Sequence, residues 1–170
     1  MREALIQLCS ENVLRSIPRQ GYQVIEINRK DIQDLTQLRL LLELGNLPYA
    51  LANMTRERLD ELKRQNEERR QPSATKQLWE SRNRNTRFHM TLIRYGENAQ
   101  IANCMEHASG DLYARVCAAV HSKKACYQPL PDDNMHDLIV TALENHDIYT
   151  AHECLKQDIL LMAETLYADL

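Results

Sequence analysis

Two imidazoles and a carboxylate stand at positions that a helix ordinarily fills with carbon. In "NRNTRFHMTLIRYGEN", residues 83 to 98, Asn85, Phe88, His89, Leu92 and Ile93 recur at i, i+3, i+4, i+7 and i+8, so a core-facing stripe carries His89 with Asn85 one turn behind it. In "DNMHDLIVTALENHD", His136 leads Ile139, Val140 and Leu143 at the same spacing. In "AHECLKQDILLMAETL", Asp158 lies between Leu155 and Ile159, with Met162 a turn later. Taken alone, His89 reads as a core histidine bonded to a carbonyl. Burying an unpaired carboxylate, however, costs on the order of several kcal/mol, and two stray imidazoles add to that. Such positions on three separate helices make physical sense if they converge. Two imidazole nitrogens, the Asp158 carboxylate and the Asn85 amide oxygen would then form a site for a divalent metal inside a helical bundle. Mixed nitrogen and oxygen ligands suit an ion of the Zn, Ni, Mn or Fe type, and the lack of a nearby cysteine speaks against a soft thiolate site. Three or four protein ligands would leave positions open for water or a ligand.

Arg39 is a further exception, set within the stripe Leu35, Leu38, Leu42 and Asn46. It has two readings. One is an ion pair with Glu43, one turn on. The other is a guanidinium facing the metal cavity, placed to take a carboxylate in a bidentate fork, which would make a small organic acid the ligand. His107, His121, His146 and His152 fall near helix ends or on mixed faces and read as surface or supporting residues, with His152 a reserve ligand. The five cysteines, at 9, 104, 117, 126 and 154, read as packing residues.

The elements that must position these groups are helices. The 170 residues suffice for one domain with a real core, and only four glycines and five prolines interrupt a chain rich in helix formers. Six helices are expected at roughly 29–53, 55–70, 75–95, 98–122, 132–146 and 148–168, broken by "MT", "QPSA", "YGEN", "KKACYQPLP" and "HD". Before them, "MREALIQLCSENVLRSIPRQGYQVIEI" passes from helical spacing at Ala4, Leu5, Leu8 and Cys9 to strand-like "LRSI" and "YQVIEI" around "PRQG". A helix followed by a hairpin is the back half of a winged helix, too small to fold alone. The expected fold is therefore mostly α, an antiparallel helical bundle of six or seven helices preceded by a partial winged helix. The expected division is 1–27 for that DNA-binding remnant and 28–170 for an all-helical effector-binding and dimerisation domain.

A net charge of -3 gives no global attraction to nucleic acid, although residues 1–30 hold five basic against three acidic side chains, a local excess of +2 that leaves -5 for the rest. Residues 56–70 hold six basic and five acidic side chains, and mixed signs at i,i+4 spacing point to a solvated face rather than a nucleic-acid patch. An odd number of cysteines without C-x-x-C spacing indicates neither a disulfide framework nor a zinc ribbon and fits a reducing cytoplasm. No apolar run reaches the roughly 18 to 20 residues of a membrane span.

With those residues in place, the chain resembles the GntR superfamily of bacterial transcription regulators, in particular its FadR-like branch with the FCD ligand-binding domain. "REALIQLCSENVLRSIPRQGYQV" resembles the recognition helix and wing, with Asn12-Val13 where Gly-Leu is usual. "DIQDLTQLRLLLE" is similar to the first FCD helix with its R-x-x-L-E signature at Arg39, Leu42 and Glu43. "NTRFHMTLIRYGEN" resembles the [DN]-x-x-F-H-x-x-L motif, and "HDLIVTALENHDIYTAHECLKQD" the closing segment. The resemblance implies a ligand-responsive regulator that pairs as a homodimer, with metal positions at Asn85, His89, His136 and Asp158. Two depart from the commonest pattern, in which an Asp precedes the first imidazole and a third His ends the set. Asn is the weaker ligand and Asp158 restores the charge, so the site either shifts toward harder metals or loses tight binding. The resemblance also implies that Arg2, Arg19 and Gly21 meet operator DNA, in a longer protein that supplies the helices packing beneath the recognition helix. Gly21 has a plain structural reading too, as a turn residue that accepts positive φ.

Regulation by a small carboxylic acid is one function that this pattern supports. A metal-dependent enzyme on a helical bundle is another, since two imidazoles and a carboxylate with open positions resemble a catalytic metal site, although no separate general base or nucleophile accompanies them. A truncated dimerisation module without DNA binding is a third. A non-enzymatic regulator is the expectation.

Overall fold

The chain opens with helix α1 (Arg2–Ser10) and a hairpin of β1 (Leu14–Ile17) and β2 (Gly21–Val24), paired antiparallel with Leu14 opposite Val24 and Ile17 opposite Gly21. In this computed structural model the described residues are 2–10, 13–25, 28–70, 78–108 and 134–168. The turn between the strands is closed by Gln20 N–H donating to the Ile17 carbonyl at 3.0 Å, with Arg19 at φ 65° and Gly21 at φ 102°. That φ at Gly21 lies where only glycine rests without strain, so the glycine's structural role is real. Across the strands the Arg15 guanidinium grips Gln23 Oε1 at 2.8 and 3.0 Å. No residue of α1 is buried, and Ile6, Tyr22 and Val24 stay largely exposed, so this unit has no core of its own.

Among the described residues six further helices follow: α2 (Arg29–Ala52), α3 (Arg56–Arg70), α4 (Leu78–Tyr95), α5 (helical over 99–108), α6 (Met135–Glu144) and α7 (Ile148–Ala168). The start of the third expected helix before 78, the extension of α5 to 122, the "QPSA" and "KKACYQPLP" breaks, His121, Cys117 and Cys126 lie outside the described residues. Helix α2 starts where Asn28 and Asp31 exchange bonds in a capping box, Asp31 N–H to Asn28 Oδ1 at 3.1 Å and Asn28 N–H to Asp31 Oδ2 at 2.9 Å. At the start of α7, Asp147 accepts from the Thr150 N–H at 3.0 Å and from its hydroxyl at 2.6 Å. Asn46 of α2 and Asn53, which caps its C-terminus, meet the far end of α4: Asn46 Nδ2 donates to the Ile93 carbonyl at 2.9 Å and Asn53 Nδ2 to the Tyr95 carbonyl at 3.0 Å. The Ile93 carbonyl also accepts from the Gly96 N–H at 3.0 Å, so these side-chain bonds join the turn that ends α4.

The core gathers Leu47, Ala50, Leu62, Phe88, Leu92, Ile139, Leu143, Leu155 and Ile159 from α2, α3, α4, α6 and α7. A smaller cluster of Met90, Ile93 and Met105 joins α4 to α5, with Leu42 packed against it. The mixed charges of α3 behave as solvated pairs, Lys63 with Glu144 at 2.8 Å and Arg87 with Glu68 at 3.0 Å among them. The stripe expected on α2 is displaced. Leu35, Leu38 and Leu42 are only half-buried, while the fully buried row is Ile32, Arg39, Glu43, Asn46, Leu47 and Ala50. Burial there follows geometry set by the neighbouring helices, and polar side chains hold the inner positions.

Candidate metal centre

Each inward row changes character along its helix. On α4 it runs from Leu92 through Phe88 and His89 to Asn85, on α6 from Leu143 through Ile139 and Val140 to His136, and on α7 from Leu155 to Asp158 and Ile159. The apolar ends build the core, and the polar ends meet beside it. His89 and His136 are each 1% exposed and Asp158 4%, so water does not solvate them. One ligand atom from each of His89, His136 and Asp158 lies within 4.8 Å of the other two, which brings together three of the four residues expected to hold a metal.

The contacts within this group are close without being settled. His89 Nε2 stands 2.8 Å from Asp158 Oδ2 and His136 Nε2 stands 3.5 Å from Asp158 Oδ1. Yet His89 Nε2, both His136 ring nitrogens and Asp158 Oδ2 are buried without a hydrogen-bond partner. The attraction is there, but the atoms are not in line to share a proton. Buried polar atoms are normally satisfied, and here the unsatisfied ones share one small volume on three helices. The donor set fits a divalent ion. Asn85, buried one turn before His89, has Nδ2 without a partner as well.

Around the group runs a chain of charge that fixes its geometry. His89 Nδ1 meets Glu43 Oε2 at 2.7 Å, and Glu43 Oε1 accepts from Arg39 Nε at 2.6 Å, all buried. With Nδ1 held by a carboxylate, Nε2 is the atom that His89 turns toward Asp158, the arrangement by which an outer carboxylate orients a metal-binding imidazole. Of the two readings of Arg39, the ion pair with Glu43 is the one the structure contains. The Phe88 ring stacks on His136 with centroids 3.9 Å apart, fixing the second imidazole from behind.

Electrostatics follow from these neighbours. Burial pushes the Glu43 carboxyl up, but Arg39 and His89 outweigh it and hold its pKa at about 2. Burial likewise raises and the two imidazoles lower Asp158, with a net shift well below the usual carboxylate range. His89 is raised: burial and Arg39 oppose its charge, and Glu43 with Asp158 prevail. His136 is lowered by burial, which Asp158 only partly offsets. One imidazole is thus tuned to hold a proton and the other to stay neutral.

Glu43 is the residue whose part the sequence pattern did not disclose. It was legible only as a partner for Arg39, since a bond between helices leaves no mark on sequence spacing. The buried amides of Gln65 and Asn66 on α3 were also missed, though they follow Leu62 at i+3 and i+4. His107 and His146 are exposed, and the reserve ligand His152 is half-exposed beside Glu153, outside the cluster. Cys104 is exposed, against the expectation of packing, while Cys9 and Cys154 are partly buried. Arg2, Arg19 and Gly21 all lie exposed on α1 and the hairpin turn.

Comparison with known proteins agrees with this architecture. The model of the FCD domain matches residues 34–160, which take in the whole polar layer. The chain is similar to the HTH-type transcriptional regulator McbR of Escherichia coli strain K12, 25% identical over 161 residues that make up 92% of this chain and 71% of that protein. The solved structure of E. coli McbR/YncC superposes with a TM-score of 0.81 at 22% identity, covering 100% of this chain and 84% of that one. A GntR-family transcriptional regulator from Pseudomonas syringae pv. tomato superposes with a TM-score of 0.65 at 21% identity, over 98% of this chain and 69% of that one. The chain belongs to the FCD-domain family of GntR-type transcription regulators, as the motifs around Arg39, His89 and His136 imply.

Proposed function

We propose that this chain is the sensing part of a ligand-responsive transcription regulator, in which the buried centre of His89, His136 and Asp158, joined by Asn85, holds a divalent metal and receives a small organic acid. The observation that carries it is the set of unpartnered donor atoms on three helices, gathered within 4.8 Å at one buried point. A divalent ion there would supply Lewis acidity toward a carboxylate. Arg39 contributes a fixed positive charge at the same layer, anchored by Glu43.

Residues 1–27 would form the DNA-reading unit and 28–170 the sensing and pairing unit. Arg2, Arg19 and Gly21 would meet operator DNA once α1 is supported by the helices of a longer protein. Pairing as a homodimer is supported by the outer face of α2, where Leu41 and Tyr49 are 67% and 64% exposed on either side of Gly45. A cytoplasmic setting is supported by the free thiols of Cys9, Cys104 and Cys154. Because five helices line the polar layer, a ligand that favours one arrangement of them shifts the heads they carry. A coupling of about 1 to 3 kcal/mol changes operator occupancy roughly five- to 150-fold.

The test is metal analysis and calorimetric titration of the purified chain and of His89→Ala and His136→Ala. One metal per chain, lost in both variants, is expected. Unchanged metal content in both would refute the assignment.

A further inference from the structure

The two imidazoles of the centre are held in different ways. His89 is oriented through its ring, because Nδ1 meets Glu43 Oε2 at 2.7 Å and Nε2 is left for Asp158. A carboxylate on the far nitrogen is the usual device for aiming a metal-binding imidazole. His136 has no such hold. Among the described residues its Nδ1 lacks a hydrogen-bond partner, and the Phe88 ring is stacked on its face. Stacking fixes the plane of a ring but leaves it free to slide and turn within that plane. The aim of His136 therefore depends on the backbone that carries it.

That backbone is the first turn of α6, where a helix has the fewest internal bonds. Asn134 stands at the N-cap without a side-chain bond to the turn, unlike Asn28 in the capping box that opens α2. The anchor comes instead from another helix, through the residue next to His136. Asp137 Oδ1 accepts from Asn66 Nδ2 of α3 at 3.2 Å, and Asp137 Oδ2 pairs with Arg70, one turn further along α3. A carboxylate takes only donors, so the Asn66 amide cannot be turned round. Asn66 is 3% exposed, which keeps water from competing for its side of the bond. Two grips on one carboxylate resist rotation of the turn as well as sliding. Adjacent helical residues share a peptide unit, so whatever turns Asp137 turns His136. A rotation of about 10° moves an atom roughly 6 Å from the helix axis by about 1 Å. A ligand bond of about 2 Å tolerates only about 0.2 Å.

We propose that Asp137, gripped by Asn66 and Arg70, is the positioning residue for His136 and takes the part that Glu43 plays for His89. The assignment rests on the metal-binding reading above. It makes α3, which contributes none of the three cluster residues, a determinant of metal affinity.

The experiment is competition titration of the full chain with zinc, the absorption spectrum of the cobalt(II) form, and thermal unfolding of the metal-free protein. Asn66→Ala and Asp137→Ala should each weaken zinc binding about tenfold or more and change the cobalt spectrum. Asn66→Ala should add nothing in the Asp137→Ala background, because both remove the same bond. Asp137→Asn, which keeps an oxygen for Asn66, should recover most of the loss. The control is Glu144→Ala, since Lys63 and Glu144 tie α3 to α6 at 2.8 Å but about two turns beyond His136. It may cost stability yet should leave zinc affinity within about twofold. The Asp137 side chain is 39% exposed, so its variants fold even if Asn66→Ala does not. Zinc affinity and cobalt spectrum unchanged in Asp137→Ala, while His136→Ala loses the metal, would overturn this proposal and leave the metal reading standing. A loss in Asp137→Asn as large as in Asp137→Ala would overturn it as an effect of charge, and an equal loss in Glu144→Ala as general loosening. If the wild type binds no metal, the metal reading fails and this one with it.

Discussion

Glu43 is the joint on which the buried centre turns, and Glu43→Gln tests it with almost no change of shape. Its two oxygens serve Arg39 at 2.6 Å and His89 at 2.7 Å, and all three side chains are out of water. The amide can accept from one of the two and removes the carboxylate charge that the buried Arg39 guanidinium and His89 imidazole share. The pKa of Glu43 falls from 4.5 to about 2 on folding, which corresponds to about 3 kcal/mol of stability. Loss of one member of a buried pair costs a similar 3–5 kcal/mol or so. The metal-free variant is therefore expected to melt about 6 to 12 °C below the wild type at neutral pH. Because the carboxyl is depressed in the fold, its contribution is complete above its unfolded value of 4.5 and is lost as pH falls toward 2. Urea unfolding with chelator present should show the gap between the two proteins narrowing by about 1 kcal/mol at a pH of about 4 and by about 2 kcal/mol at a pH of about 3. A gap below about 1 kcal/mol at neutral pH, or one that stays constant down to a pH of about 3, would refute the structural role given to Glu43. The same substitution lets the His89 ring turn, so metal affinity should fall about 10- to 100-fold.

Metal binding should release about one proton near neutral pH, because His89 is held protonated above its usual value by Glu43 and Asp158 while His136 is already neutral. The proton-linked stability of metal-free His89 is present below about 6.5 and fades as pH rises through the raised value, whereas metal affinity grows over the same range; titration in buffers of different ionisation enthalpy checks this, and no proton release would contradict it. Gly96→Ala should lower stability by about 1–3 kcal/mol in urea unfolding, since a Cβ there would lie 2.2 Å from Asn46 Oδ1, the amide that also holds the Ile93 carbonyl. Asn85→Asp should tighten metal binding about tenfold or more in a competition titration and weaken acid binding; loosened metal binding would remove Asn85 from the ligand set.

The sequence pattern disclosed the centre because its members are errors of patterning: an imidazole or carboxylate on a stripe of Leu and Ile is visible by spacing alone. His89, His136 and Asp158 were found in that way. Helix α2 was legible only in part. Arg39 and Asn46, read on its inward stripe, are buried, but the leucines of that stripe at 35, 38 and 42 are only half-buried, and Glu43, read only as a partner for Arg39, is buried on the adjoining row. Only contacts between helices reveal which of two adjacent rows is buried. On α3 the surrounding charges masked the signal, so that Asn66 read as one more polar residue on a solvated helix although it is 3% exposed. The hairpin was legible from "PRQG" because a turn is a local matter, and its glycine takes the positive φ expected of it.

The departure at Asn85 acquires a meaning from the charges around it. With His89 protonated, Arg39 and His89 carry two positive charges against the two negative ones of Glu43 and Asp158, so these four groups balance one another. Under the proposed loading, a divalent ion displaces the His89 proton and leaves one positive charge in excess, with Arg69 nearby adding to the attraction for an anion. An aspartate at position 85 would cancel that excess, and the bound ion would be tighter but the site indifferent to a further negative charge. Asparagine keeps the excess. A buried uncompensated charge is costly, and an acid that enters the layer removes the cost at the moment it binds. If the proposed metal and acid bind there, an asparagine at position 85 would favour a site that a carboxylate completes over one that holds metal for its own sake.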